Sequence, residues 1–113
     1  MATCGFHPEA LAEYHDAANF YLEQASTLVA ASFLAEVETS ISKVLGNPET
    51  WRVVEAPGIR RYLVRRFPYA LYYRWESKQN RVTIYAVMHL RRKPGYWKDR
   101  IAQSRSPASG SAA

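Results

Sequence analysis

The sequence predicts an α+β domain: a helical hairpin packed on a small, twisted, mainly antiparallel sheet, in the order β-α-α-β-β-β. Three observations predict it. Apolar residues in the first 50 positions recur at helical spacing, those after position 58 alternate as in strands, and turn signals divide the two regions. The charge is divided in the same way. Residues 1–50 hold Lys43 against seven carboxylates, a net of −6. Residues 51–113 hold 14 basic and three acidic side chains, a net of +11. An acidic helical half is thus joined to a basic strand half, and a basic sheet attracts a polyanion or an acidic protein.

The first element, Thr3 to Phe6, reads as a short strand of only four residues. His7-Pro8-Glu9 then reads as a helix start. His7 caps, Pro8 suits the first helical position, and Glu9 complements the helix dipole. Leu11, Tyr14, Ala18, Tyr21 and Leu22 form one apolar stripe on about four turns, and Glu13, Asp16 and Glu23 fall outside it. Ser26 is the N-cap expected for a second helix. Its stripe is Leu28, Ala31, Leu34, Val37, Ile41, Val44 and Leu45, with Gly46 as a left-handed C-cap and Pro48 as a stop. Two residues between the helices predict an antiparallel hairpin.

Pro57-Gly58 marks a turn before a strand over Ile59 to Arg66. Phe67-Pro68 interrupts it, since proline cannot donate to a ladder. A second strand covers Tyr69 to Ser77. Lys78-Gln79-Asn80 forms the hairpin loop, with Asn80 suited to positive φ. The third strand is Arg81 to His89. Alternation places Val82, Ile84, Ala86 and Met88 toward the core, and Arg81, Thr83, Tyr85, Val87 and His89 on the other face. In the preceding strand, Ala70, Tyr72, Arg74 and Glu76 are the expected exposed set. Tyr96 to Gln103 reads as a terminal helical turn, and Trp97 as a packing residue. One domain over residues 3–103 is expected, with a flexible tail at 104–113 that is small, polar and without an apolar anchor.

Composition narrows the function. A chain of 113 residues buries about 65% of its unfolded surface, enough for one core. Cys4 is the only cysteine, so no internal disulfide forms, which fits a reducing cytoplasm. Met1 to Ala10 has neither the basic nor the apolar run of a signal peptide, and no stretch is long enough to span a bilayer. A cytoplasmic protein with no membrane partner is expected. There is no glycine-rich phosphate loop, no nucleophilic serine motif and no Cys/His ligand spacing, so neither a cofactor nor a metal is expected.

The most specific segments are Arg66-Phe67-Pro68-Tyr69 with Tyr72-Tyr73-Arg74, followed by Ala86-Val87, His89, Arg91-Arg92, Pro94 and Trp97. Together they resemble the RelE/ParE superfamily of bacterial toxins, ParE more than RelE. Phe6-His7-Pro8-Glu9-Ala10 is similar to that family's entry into its first helix. The resemblance covers about residues 3–100.

It implies the toxin of a type II toxin–antitoxin pair of the plasmid-stabilisation kind, which inhibits growth and is neutralised by an acidic antitoxin. ParE-like toxins inhibit DNA gyrase, whereas RelE-like toxins cut mRNA on the ribosome. Cleavage by 2′-hydroxyl attack needs a base, an acid and cations at the phosphate. His89 is the candidate catalytic imidazole under that reading, and Tyr72, Tyr85 and Tyr96 are candidates to stack bases. Alternation places Arg74, Tyr85 and His89 on one face.

Against this, lysine is scarce in the sheet and the motif ends in Pro94-Gly95-Tyr96-Trp97. RelE-like enzymes rely on a dense Lys/Arg set and a C-terminal tyrosine, so the pattern here resembles the ParE, gyrase-inhibiting side. Arg60, Arg61, Arg65, Arg74, Tyr85, Arg91 and Arg92 are then the expected target- and antitoxin-binding residues. Two alternatives stand beside it: a ribosome-dependent mRNA endoribonuclease, and a non-toxic co-repressor that reaches operator DNA through the antitoxin complex. A strand-end histidine is commonly only a hydrogen-bonding residue, and an arginine run commonly a solvated face.

Overall fold

The structure, a computed structural model, describes residues 2–93 and 95–101. The elements are β1 (Thr3–Phe6), α1 (Pro8–Gln24), α2 (Thr27–Gly46), β2 (Val53–Glu55), β3 (Ile59–Leu63), β4 (Tyr69–Glu76) and β5 (Arg81–His89). A helical turn follows at 98–101. The strands form one sheet in the order β1-β5-β4-β3-β2, with β1 parallel to β5 and every other pairing antiparallel. This is the expected α+β architecture with one addition: the three-residue edge strand β2, too short to carry a periodic signal. The expected tail at 104–113 and Gln103 lie outside the described residues. No described helix is long and apolar enough to cross a membrane.

The helix starts form as their sequences dictate. His7 Nδ1 accepts the Glu9 N–H at 3.1 Å, and Ser26 Oγ accepts the Val29 N–H at 3.1 Å. Asn80 takes φ 52 at the end of the β4–β5 loop, the left-handed value that asparagine tolerates. Gly46 differs from expectation. It stays inside α2, and Asn47 follows it with extended φ −157.

The buried stripes match those expected in part: Tyr14, Ala18, Tyr21, Val37, Ile41, Val44 and Leu45 join or pack against the core, but each stripe is shifted toward the preceding residues at its other positions. On α1 the core takes Ala10 and Ala17, with Tyr14, Ala18 and Tyr21 beside them, while Leu11 and Leu22 are exposed. On α2 it takes Ala30, Phe33, Val37, Ser40 and Val44, and leaves Leu28 82% exposed. Aromatic packing explains the phase. Phe33 lies 5.2 Å from each of Tyr21, Phe67 and Tyr69, edge-on to the last two, and aromatic contacts of this kind add to the area that the ring buries. A stripe centred on Leu34 would forfeit all three.

A bulge divides β5. Its register with β4 shifts between Tyr72/Ala86 and Tyr73/Ile84, leaving Tyr85 as the extra residue. Val82, Ile84 and Val87 therefore face the helices with Tyr69, Leu71 and Tyr73. Ala86 and Met88 face the other side with Tyr85, Tyr72, Ala70 and Ile59. The alternation expected along β5 holds only up to the bulge. The face expected to be exposed is also covered, because Trp97 and Ile101 of the C-terminal strap (residues 95–101) pack onto it. Ala70 and Tyr72 are buried there, while Arg74 and Glu76 remain half-exposed beyond the strap.

Candidate target-facing surface

The two basic runs of the sequence meet at one end of the sheet. β3 ends at Leu63 rather than Arg66, and Val64 N–H donates to Tyr69 O at 2.9 Å to close a turn in which Arg66 adopts φ 72. Arg65 and Arg66 project from this turn and are exposed. On the neighbouring strand pair Tyr69 lies opposite His89, and Leu90 N–H donates to Pro68 O at 2.9 Å. That bond brings Arg91, Arg92 and Lys93, also exposed, to the same end as Arg65 and Arg66. Leu63 and Leu90 expose apolar surface among these charges.

Beside this end, α1 and the end of β5 border a groove lined by Asp16, Phe20, Tyr69, His89 and Arg92. The ring of His89 stands edge-on to Tyr69 at 5.1 Å, and its Nδ1 accepts the Arg91 N–H at 3.0 Å. His89 thus shapes the turn into the basic segment.

The other expected site residues are dispersed. Arg60 donates from Nη1 to Glu49 O at 3.0 Å and to Trp51 O, which ties the α2–β2 connection to β3. Arg61 is exposed on the strap face, opposite Tyr72 in register. Arg74 lies toward the β4–β5 hairpin with Lys78 and Gln79. It is five residues from Tyr69 along β4, roughly 17 Å at ~3.4 Å per residue, and on the face opposite His89. Tyr85 is 1% exposed and Tyr72 6%, so neither offers a ring face to a base. The expected shared face of Arg74, Tyr85 and His89 therefore does not form; the bulge and the strap prevent it.

What holds the basic segment in place was not anticipated. Glu13, which falls outside the apolar stripe of α1, is a hub. β1 pairs β5 only as far as Phe6 opposite Ile84, so beyond that point this β5 edge has no strand neighbour among the described residues. Glu13 Oε1 accepts the Val87 N–H there at 3.0 Å. Its carboxylate also accepts from Arg100 Nη1 and Nη2 at 3.0 and 2.9 Å, from Tyr96 Oη at 2.7 Å and from Arg92 Nη1 at 3.5 Å. Arg100 donates a further bond to Tyr85 O at 3.0 Å. The guanidinium of Arg92 stacks 3.8 Å over the Tyr96 ring.

Burial opposes the charge on Arg100, but the bond and charge of Glu13 outweigh it and raise its pKa. Burial, with the Glu13 hydrogen bond and charge, raises the Tyr96 hydroxyl far above its usual range, so it stays a donor. The network covers the open β5 edge and anchors the strap.

Comparisons with known proteins agree with this architecture. A search of curated proteins finds no match. Among solved structures, the chain is similar to one described as the chromosomal ParDE TA system from P. aeruginosa. Identity is 16% and TM-score 0.68, with 80% of this chain and 97% of that one covered. It is also similar to an arginine-to-alanine double mutant of E. coli toxin RelE in the free state, at 17% identity and TM-score 0.61, covering 92% and 98%. The isolated E. coli RelE toxin matches at 17% identity and TM-score 0.57, covering 92% and 99%. At such identities the likeness concerns the fold. The family model described as ParE toxin of type II toxin–antitoxin system, parDE, matches residues 5–94. With most of its length in that match, the chain belongs to the ParE toxin family of type II toxin–antitoxin systems.

Proposed function

We propose that this toxin arrests bacterial growth by binding DNA gyrase, without cutting RNA, and that an acidic antitoxin neutralises it at the basic end of the sheet. One observation carries the reading: the groups an RNA-cleaving site would need are scattered. His89 is on the helix face, Arg74 is on the opposite face near the far hairpin, Tyr72 and Tyr85 are buried, and the Tyr96 hydroxyl is held by Glu13. General acid–base catalysis at a phosphate requires them within hydrogen-bond reach of one substrate. Protein docking requires only a contiguous surface. The gathering of Arg65, Arg66, Arg91, Arg92 and Lys93 supplies one with charge opposite to an acidic partner.

Induction without antitoxin should stop growth, break DNA and raise the DNA-damage response, while translated mRNAs stay intact. His89→Ala should retain toxicity, since no proton transfer is assigned to that imidazole. Growth arrest with phased mRNA cuts and no DNA breaks would sink the gyrase reading. It would favour the ribosome-dependent endoribonuclease, for which His89 and Arg92 lining one groove is the supporting observation. Harmless overproduction of folded protein would point instead to a co-repressor acting at operator DNA.

A further inference from the structure

Of the cations gathered at the basic end, one differs from the rest. Arg65, Arg66, Arg91 and Lys93 are exposed and make no ion pair and no side-chain hydrogen bond among the described residues. Arg92 is held at both ends. Its N–H donates to His89 O at 2.9 Å, which sets the main chain of the turn. Its guanidinium lies 3.8 Å over the Tyr96 ring, and Nη1 stands 3.5 Å from Glu13 Oε2. The side chain is nevertheless 54% exposed.

The ring, more than the carboxylate, fixes that guanidinium. Arg100 gives Glu13 bonds of 3.0 and 2.9 Å, against 3.5 Å from Arg92, so Glu13 is satisfied without Arg92. The Tyr96 ring is itself fixed. Its hydroxyl donates to Glu13 at 2.7 Å, and the Arg100 guanidinium lies 5.0 Å from its centroid. A guanidinium stacked flat on a ring keeps its donor-bearing edge free. Only Nη1 of Arg92 makes a bond among the described residues, so Nε and Nη2 remain for the fork that a carboxylate accepts. A mobile arginine loses rotamer freedom when a partner fixes it, whereas Arg92 has lost that freedom beforehand. The other four cations attract from a distance, as rim charges do.

We propose that Arg92 is the anchor that grips a carboxylate of the acidic antitoxin, that Tyr96 is its positioning residue, and that Arg65, Arg66, Arg91 and Lys93 steer. The assignment rests on the reading that an acidic protein docks at this end, and not on gyrase being the target.

The test titrates the full chain into a fluorescent octaglutamate peptide with an amidated C-terminus and follows anisotropy. Arg92→Gln should weaken binding by about tenfold, and Tyr96→Leu by about fivefold. The double variant should bind no more weakly than Arg92→Gln alone, because a ring with no guanidinium to hold contributes nothing. Tyr96→Phe keeps the stacking ring and loses the hydroxyl bond, and should bind within about twofold of the parent. Arg65→Gln with Arg66→Gln should also weaken binding. That loss should fade as sodium chloride is raised, while the Arg92→Gln loss persists.

Additive losses for Arg92→Gln and Tyr96→Leu would overturn the positioning role. So would a Tyr96→Phe loss equal to that of Tyr96→Leu, since the Glu13 bond and not the ring would then be responsible. Equal fading of every loss with salt would overturn the anchor. Each of these results leaves docking at the basic end standing. A parent chain that does not bind the peptide overturns docking and anchor together, and none of these results bears on gyrase.

Discussion

The two faces of the sheet are covered in different ways. α1 and α2 cover one face with aromatic and aliphatic packing spread over many side chains, among them Phe33, Val37, Val44, Tyr69, Leu71 and Tyr73. A strap of seven residues covers the other, through Trp97, Ile101 and the Glu13 network. Dispersed apolar contacts fail one at a time. A strap held by one carboxylate fails together when that carboxylate is lost. The strap face should therefore open locally at lower free energy than the helix face. The basic segment that follows β5 shares this anchoring through Arg92, so the Glu13 network links sheet stability to the shape of the proposed docking end.

Phe33→Ala should have the largest effect. The ring is fully buried and meets four aromatic neighbours, so its loss should cost about 4 kcal/mol in denaturant unfolding. A loss below about 1 kcal/mol would mean that the helix face is not the main core.

Glu13→Ala should come next, at about 3 kcal/mol, because it leaves the Arg100 guanidinium, 8% exposed, with the Tyr85 carbonyl and, as counter-charge, the exposed Glu9 at 3.6 Å. Removing both charges, as Glu13→Gln with Arg100→Met, should recover part of that loss. Hydrogen exchange separates the faces further. In Glu13→Ala the Val87 amide should lose protection while the β4–β5 ladder keeps it. Uniform loss across the sheet would contradict a locally opening strap.

His7 gives a smaller effect, dependent on pH. Burial, and then the charge of Arg100, lower its pKa, and its Nδ1 must stay unprotonated to accept the Glu9 N–H. The unfolded chain thus binds the proton more readily. The cap's contribution is intact above the unfolded pKa near 6.5 and is lost as pH falls through the lower folded value. His7→Asn keeps a capping acceptor and removes the titration. It should match the parent near pH 8 and exceed it by about 1 kcal/mol near pH 5 in chemical denaturation. Equal acid sensitivity in both proteins would remove His7 from the account.

The parts legible in the sequence were those with local causes. The caps at His7 and Ser26, the turn at Asn80 and the two-residue link between helices each depend on a few adjacent residues. On α2 the sequence located Val37 and Val44 but not the first half of the stripe, because Leu28 and Leu34 are spaced as regularly as Ala30 and Phe33, and partners on other elements decide between them. The β5 bulge depends on pairing with β4, so alternation alone misplaced Ala86, Met88 and Val87 and gathered Arg74, Tyr85 and His89 on a face that they do not share. Glu13 and Arg100 lie 87 residues apart, and nothing near either one signals the other. The basic runs could be read from composition. That they meet at one end depends on the Leu90–Pro68 bond across two strands.

The most direct test of the central claim is supercoiling of relaxed plasmid by purified gyrase in the presence of the purified toxin, run beside a translating extract with a reporter mRNA. The account predicts that supercoiling is blocked while the mRNA remains whole. Full supercoiling together with codon-phased cuts in the mRNA would contradict it.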